Sequence, residues 1–149
     1  MEGLPYLLGS LSVMLVLGLC ACGSCNGMMK CGTSSTIHSQ ISTVLTYSYV
    51  SMIIISTSFF YGFILSIIII NKLGPNYTLH TGILHLTSGI IFGVIGVNSG
   101  VSMGNISSHG FKRIAQNEKF YTSFMISLAS VEVTLVIGFL CSLLIIYKV

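Results

Sequence analysis

Charge is the scarcest property of this 149-residue sequence. Asp, Glu, Lys and Arg together make up 6% of it, against about 25% in a typical soluble domain. A surface that poor in charge is not held in water, which excludes a soluble globular protein and leaves lipid as the solvent. Only three acids, Glu2, Glu118 and Glu132, stand against six cations. The net charge of +3 gathers into no basic stripe of the kind that phosphate backbones require, so nucleic acid is excluded as a partner. Also missing is a Gly-rich phosphate loop closed by Lys-Ser/Thr, so the chain itself binds no nucleotide. Cys20, Cys22, Cys25 and Cys31 come early, but Cys20–Cys25 lie inside an apolar run and the nearest His or acid is His38. That is a poor ligand set for zinc, and it reads as small apolar packing residues; no metal or cofactor is expected. Trp is absent.

What fills the sequence is apolar residues, 53% of the chain. They form four long stretches, 4–29, 43–71, 79–108 and 120–147. Each exceeds the ~20 residues that a helix needs to cross a bilayer. Lipid cannot satisfy an open backbone, so each is expected as a transmembrane helix. The surplus length implies tilt or extension past the membrane. The connections are short: a polar one with Lys30 and His38, a turn at Gly74-Pro75, and a third from His109 to Lys119. The fold class is therefore an all-α membrane protein of two tandem helical hairpins, 4–72 and 77–148. Lys30, Lys112, Arg113 and Lys119 border the first and third connections, against Lys72 and Lys148 on the other side. The positive-inside rule puts those two connections in the cytosol and both termini on the opposite, lumenal side. Leu19-Cys20-Ala21-Cys22 has the look of a lipoprotein cleavage site, but Glu2 and no cation precede it, so the first stretch is expected to be a mature helix. Asn76-Tyr77-Thr78 fits a glycosylation sequon and sits too near the expected membrane surface to be an acceptor.

The two hairpins read as copies of one unit. At an offset of about 77 residues Gly23 and Gly27 fall on Gly100 and Gly104, and at about 76 Gly62 falls on Gly138 and Ser56 on Glu132. The third stretch carries Gly89, Gly93, Gly96, Gly100 and Gly104 on one helical face, where another backbone can approach closely. Such a face serves as an ordinary helix-pair seam or as the crowded inner wall of a ring. Five glycines over four turns exceed what one crossing needs, so a ring is the expectation.

Glu132 lies near the middle of the last stretch, and its neighbours three and four residues away are Leu128, Ala129, Leu135 and Val136, all apolar. It is the only acid inside any of the four stretches. An ionised acid at the bilayer centre costs at least about 2.5 kcal/mol, so desolvation favours the neutral form. A carboxyl that is neutral in lipid and charged beside a cation carries one proton, and the cation has to come from another chain. Ser130 and Thr134 flank Glu132 and leave sodium open, although the apolar setting favours a proton. Tyr61, five residues beyond Ser56, is a candidate hydrogen-bond neighbour of Glu132. The alternative to proton carriage is a carboxyl that merely bonds a neighbouring helix.

Taken together these segments resemble the V-type ATPase proteolipids of the c or c-prime type. The resemblance runs from Pro5 to Lys148. It rests on Gly23-x-x-x-Gly27-x-x-Lys30-x-Gly32-Thr33, on Tyr61-Gly62, on the glycines from Gly89 to Gly104, on Gly110-Phe111-Lys112, on Ala115-Gln116, and on the six-residue step from Glu132 to Gly138. Ser107-Ser108-His109-Gly110 lacks the family's Asp, and Gln116-Asn117-Glu118 replaces its Gln-Gln-Pro. In the c-double-prime type the acid sits where Ser56 stands here, so that assignment is not favoured. The resemblance implies an endomembrane or vacuolar rotor ring of proteolipids, turned by ATP hydrolysis in a separate sector. Glu132 would be the H+ carrier, loaded and released at the pump's a subunit, which supplies an Arg. The ring would seat the central-stalk d subunit, and the chain would not be catalytic alone. Two other classes remain: a small four-helix proton-coupled transporter, and a non-transporting membrane scaffold.

Overall fold

The computed structural model describes residues 3–74 and 77–148. It contains four long helices, α1 (Leu4–Ile37), α2 (Ser42–Lys72), α3 (Leu79–Gln116) and α4 (Tyr121–Tyr147), with one 3-10 turn, Glu118–Phe120, leading into α4. All four are long and apolar enough to cross a membrane. Pro75 and Asn76, the tip of the expected turn and the sequon Asn, lie outside the described residues.

The helix starts follow local chemistry. Pro5 opens α1, where its missing N–H costs nothing. Thr78 caps α3 by accepting from the Thr81 N–H at 3.3 Å. The ends of α1 and α3 differ from the sequence reading. Both continue past the apolar stretches to Ile37 and Gln116, so most of the expected first and third loops is helix, and Lys30 stands inside α1. The polar residues there do not break the helix because their hydroxyls fold back on its own carbonyls: Thr33 on Met29 at 2.9 Å, Ser35 on Gly32 at 2.9 Å and Thr36 on Thr33 at 2.8 Å. Ser34 reaches across to the Ser108 carbonyl at 3.0 Å, and Lys30 Nζ donates to Asn105 Oδ1 at 2.8 Å. These bonds tie the two extensions together. At 1.5 Å per residue α1 is about 51 Å long and α3 about 57 Å, against a hydrocarbon core of about 30 Å.

The α1–α3 pair is the most extensive helix contact, and the glycines make it so. A Cβ placed on Gly100 would stand 2.5 Å from the Gly23 carbonyl carbon. One on Gly23 would stand 2.6 Å from the Gly96 oxygen, and one on Gly104 2.6 Å from the Gly27 Cα. Further along, Gly96 faces Cys20, Gly93 faces Leu19 and Gly89 faces Ser12. The partner of the α3 glycine face is thus α1 of the same chain, running parallel to it.

Burial is inverted relative to a soluble protein. Ser12, Ser24, Ser58, Ser88 and Ser142 are buried, whereas Leu7, Met14, Ile53, Phe60, Ile126 and Leu144 are exposed. The buried hydroxyls join helices: Ser24 to Ser58 at 2.6 Å, Ser12 to the His85 carbonyl at 2.6 Å, and Ser88 to the Ser142 carbonyl at 3.1 Å. Small and hydroxylated residues are the usual glue where hydrophobic association is unavailable. His85 is also fully buried and shares a 2.7 Å hydrogen bond with the Tyr77 hydroxyl.

Gly100→Leu tests the seam. Its side chain meets backbone atoms that cannot swing aside, so destabilisation should reach or exceed the roughly 1–3 kcal/mol of ordinary overpacking. Thermal unfolding followed by circular dichroism in detergent should show a lower midpoint, with normal membrane insertion.

Candidate functional site

Two apolar cores lie one above the other. Cys31, Ile55, Met103, Phe111, Phe124 and Leu128 belong to one, and Val16, Cys20, Leu65, Phe92, Leu135 and Ile146 to the other. On α4 the last buried leucine of the first core is Leu128 and the first of the second is Leu135. Glu132 stands between them, partly buried, at the level where the apolar packing is interrupted.

Its lateral position follows from the contacts on either side. Tyr121 stacks on Tyr47 of α2 with ring centroids 4.0 Å apart, and Phe139 packs on Tyr61 of α2 at 5.2 Å. A seven-residue step returns a helix to within about 20° of the same face. One such step back from the Tyr61–Phe139 pair, in two helices running the same way, arrives at Ile54 and Glu132. The carboxyl therefore sits at the α2–α4 seam, which is the sparsest of the contacts between the four long helices. It makes no hydrogen bond or ion pair with any described residue.

The structure separates Glu132 from three residues that the sequence suggested as neighbours. Tyr61 presents its ring to Phe139, about 10 Å further along α4 than Glu132 at helical rise, and no hydrogen bond joins the two within the chain. Ser130 and Thr134 lie two residues to either side, about 200° around the helix, on the opposite face. They bond to their own helix, Ser130 to the Ile126 carbonyl at 2.9 Å and Thr134 to that of Ser130 at 3.4 Å. They also line a separate groove of about 400 Å³ with Asn98, Ser99 and Ser102 of α3. No oxygen cage therefore forms around Glu132 from its own helix.

The cation nearest in depth is Lys30, since its partner Asn105 lies close to the level of Glu132. It is held on the α1–α3 side, and α1 makes no contact with α4. Among the described residues no group of three or more His, Cys, Asp or Glu is placed to hold a metal. Cys20 and Cys31 are buried in the two cores, while Cys22, Cys25 and Cys141 are exposed. What the sequence could not reveal is the aromatic pairing that brackets Glu132. Its only trace is the seven-residue recurrence of Tyr47, Ile54, Tyr61 and Ile68, all of which pack at the edge of a core.

Comparison with known proteins adds a lineage. The family of the ATP synthase C subunit matches residues 86–145, the segment that holds Glu132 and all five glycines of the α3 face. The 16 kDa proteolipid c subunit of the V-type proton ATPase of Nephrops norvegicus is 26% identical over 129 residues, covering 85% of this chain and 79% of that protein. The c subunit of the V-type proton ATPase of Candida tropicalis is 24% identical over 119 residues, covering 80% and 72%. The V-type proton ATPase 16 kDa proteolipid subunit of Entamoeba dispar is 33% identical over 85 residues, covering 56% and 48%.

Tyr61→Phe distinguishes packing from hydrogen bonding. Because the ring is occupied with Phe139, loss of the hydroxyl should leave the pH dependence of carbodiimide labelling at Glu132 unchanged. A displaced labelling curve would place the phenol at the carboxyl.

Proposed function

We propose that this chain is a member of the V-type ATPase proteolipid family, and within it a proton-carrying rotor subunit whose carrier is Glu132. Like its relatives it is a subunit of an ATP-hydrolysing pump and not a catalyst by itself. The observation that carries the assignment is the position of the carboxyl: mid-helix, between two apolar cores, at the sparsest seam, with no hydrogen-bond or ion-pair partner among the described residues. An ionised carboxyl at that depth in lipid is costly. Glu132 releases its proton where a fixed cation compensates the charge. Lys30, across the bundle and bonded to Asn105, does not supply that cation. A second chain must bring it, and an Arg of the pump's a subunit is the natural donor. The facing of Ser130 and Thr134 away from Glu132 supports H+ over sodium as the transported ion.

The rest of the reading is assembly. Large exposed apolar faces on all four helices leave room for neighbouring proteolipids in a ring, with lipid outside. In such a ring the close α1–α3 pair is suited to the crowded inner wall, and α4 to the outer one. The hairpins 4–72 and 77–148 are treated as duplicates of one unit. In support, Cys20 of α1 packs into the space of Gly62 on α2 as Ile95 of α3 packs into that of Gly138 on α4. Lys112, Arg113 and Lys119 put the α3–α4 connection on the cytosolic side. There the central-stalk d subunit would dock. Both termini then face the lumen of a vacuolar or other endomembrane.

Glu132→Gln is the decisive variant, because Gln keeps the shape and neutrality of the protonated acid. Proton pumping by the assembled complex should fall to background, with insertion and ring assembly unchanged. Pumping at the wild-type rate would overturn the assignment.

A further inference from the structure

At the end of the bundle where α3 meets α4, two grooves share a wall. One, of about 400 Å³, is lined by Ile106, Gly110, Phe120 and Phe124, by the polar Asn105 and Ser127, and by His109 and Arg113. The other, of about 470 Å³, is lined by His109, Lys112, Arg113 and Gln116. His109 and Arg113 are common to both. The two grooves adjoin at these residues and together make a slot, mostly apolar in one half and cationic in the other. Gly110 admits the Phe124 ring against the α3 backbone, where a Cβ would strike it.

Three observations define what such a slot accepts. The first is charge. The side chains of Lys112 and Arg113 are exposed and form no hydrogen bond or ion pair with any described residue. With Lys119 they outnumber Glu118 and the partial negative charge of the α3 C-terminus. Glu118 lines neither groove. The second is depth. Gly110 packs on Phe124 and Ile95 on Gly138, so in this antiparallel pair Arg113 stands level with Tyr121. That is eleven residues from Glu132, or about 16 Å along the helix. With Glu132 near the middle of a core about 30 Å thick, Arg113 falls at headgroup height and Phe124 within the acyl region. The third is shape, a mostly apolar groove that adjoins a cationic one.

We propose that this slot is a binding site for an anionic phospholipid, with its headgroup on Arg113, Lys112 and His109 and an acyl chain along Phe120 and Ile106. A soluble anion fits the rim and has no use for the channel. A protein surface fits the charge but would not descend into the hydrocarbon. The lipid fills both parts, and it neutralises cations that otherwise lack a partner.

The test uses the full chain reconstituted in phosphatidylcholine vesicles with spin-labelled phosphatidylserine or spin-labelled phosphatidylcholine as the probe. The immobilised fraction should favour phosphatidylserine, by roughly five-fold for each cation engaged. The double variant Lys112→Gln, Arg113→Gln changes exposed residues only and should retain its helicity while the preference falls to parity. Equal immobilisation of both probes by the wild type would overturn the proposal, as would a preference that survives the double substitution. Displacement of spin-labelled phosphatidylserine by millimolar inorganic phosphate would reassign the rim to free anions. A variant that keeps its lipid preference but no longer retains the soluble sector on purification would reassign it to a protein partner.

Discussion

The approach of α1 to α3 at backbone distance is the constraint on which the rest of this molecule depends. Membrane helices gain little from hiding apolar side chains from one another, because lipid is equally apolar; they gain from contact area and from hydrogen bonds. With Gly23 and Gly27 set against Gly96, Gly100 and Gly104, the two backbones touch without intervening side chains. The hydroxyl of Ser12 and the ammonium of Lys30 then reach carbonyl and amide partners across the seam. Once this pair is fixed, α2 and α4 are positioned against it by Cys20 at Gly62 and Ile95 at Gly138. Neither is pulled strongly toward the other.

That imbalance explains the setting of Glu132. A carboxyl in the α1–α3 seam would have no space and no access. At the α2–α4 seam it is partly covered, bracketed by the Tyr47–Tyr121 and Tyr61–Phe139 pairs, and still reachable from one side. The weak seam leaves this one side chain only partly covered.

Much of this was legible in the sequence. Four spans followed from the near absence of charge and the length of the apolar stretches, and Glu132 stood out as the lone acid inside them. The glycine face was legible as a face, but not its partner, since spacing within one helix cannot say which backbone will approach. The overrun of α1 and α3 was hidden because Ser and Thr carry the same one-letter pattern in a loop as in a helix whose carbonyls they bond. The pairing of Tyr61 with Phe139 was hidden because it depends on the relative rise of α2 and α4. Ser130 and Thr134 flank Glu132 in sequence, but closeness in sequence is not closeness around a helix, and a step of two residues points the other way.

The continuity of α1 and α3 beyond the bilayer has a mechanical side. Unbroken helices about 51 and 57 Å long cross a core of about 30 Å, joined along their length by backbone contact and by the hydrogen bonds of Ser34 and Lys30. They form a two-rod beam with no flexible joint at the water boundary. A sideways load on its free end is transmitted into the membrane as leverage on the whole pair, with little lost to slack. An object that grips that end would turn the body of the protein with it.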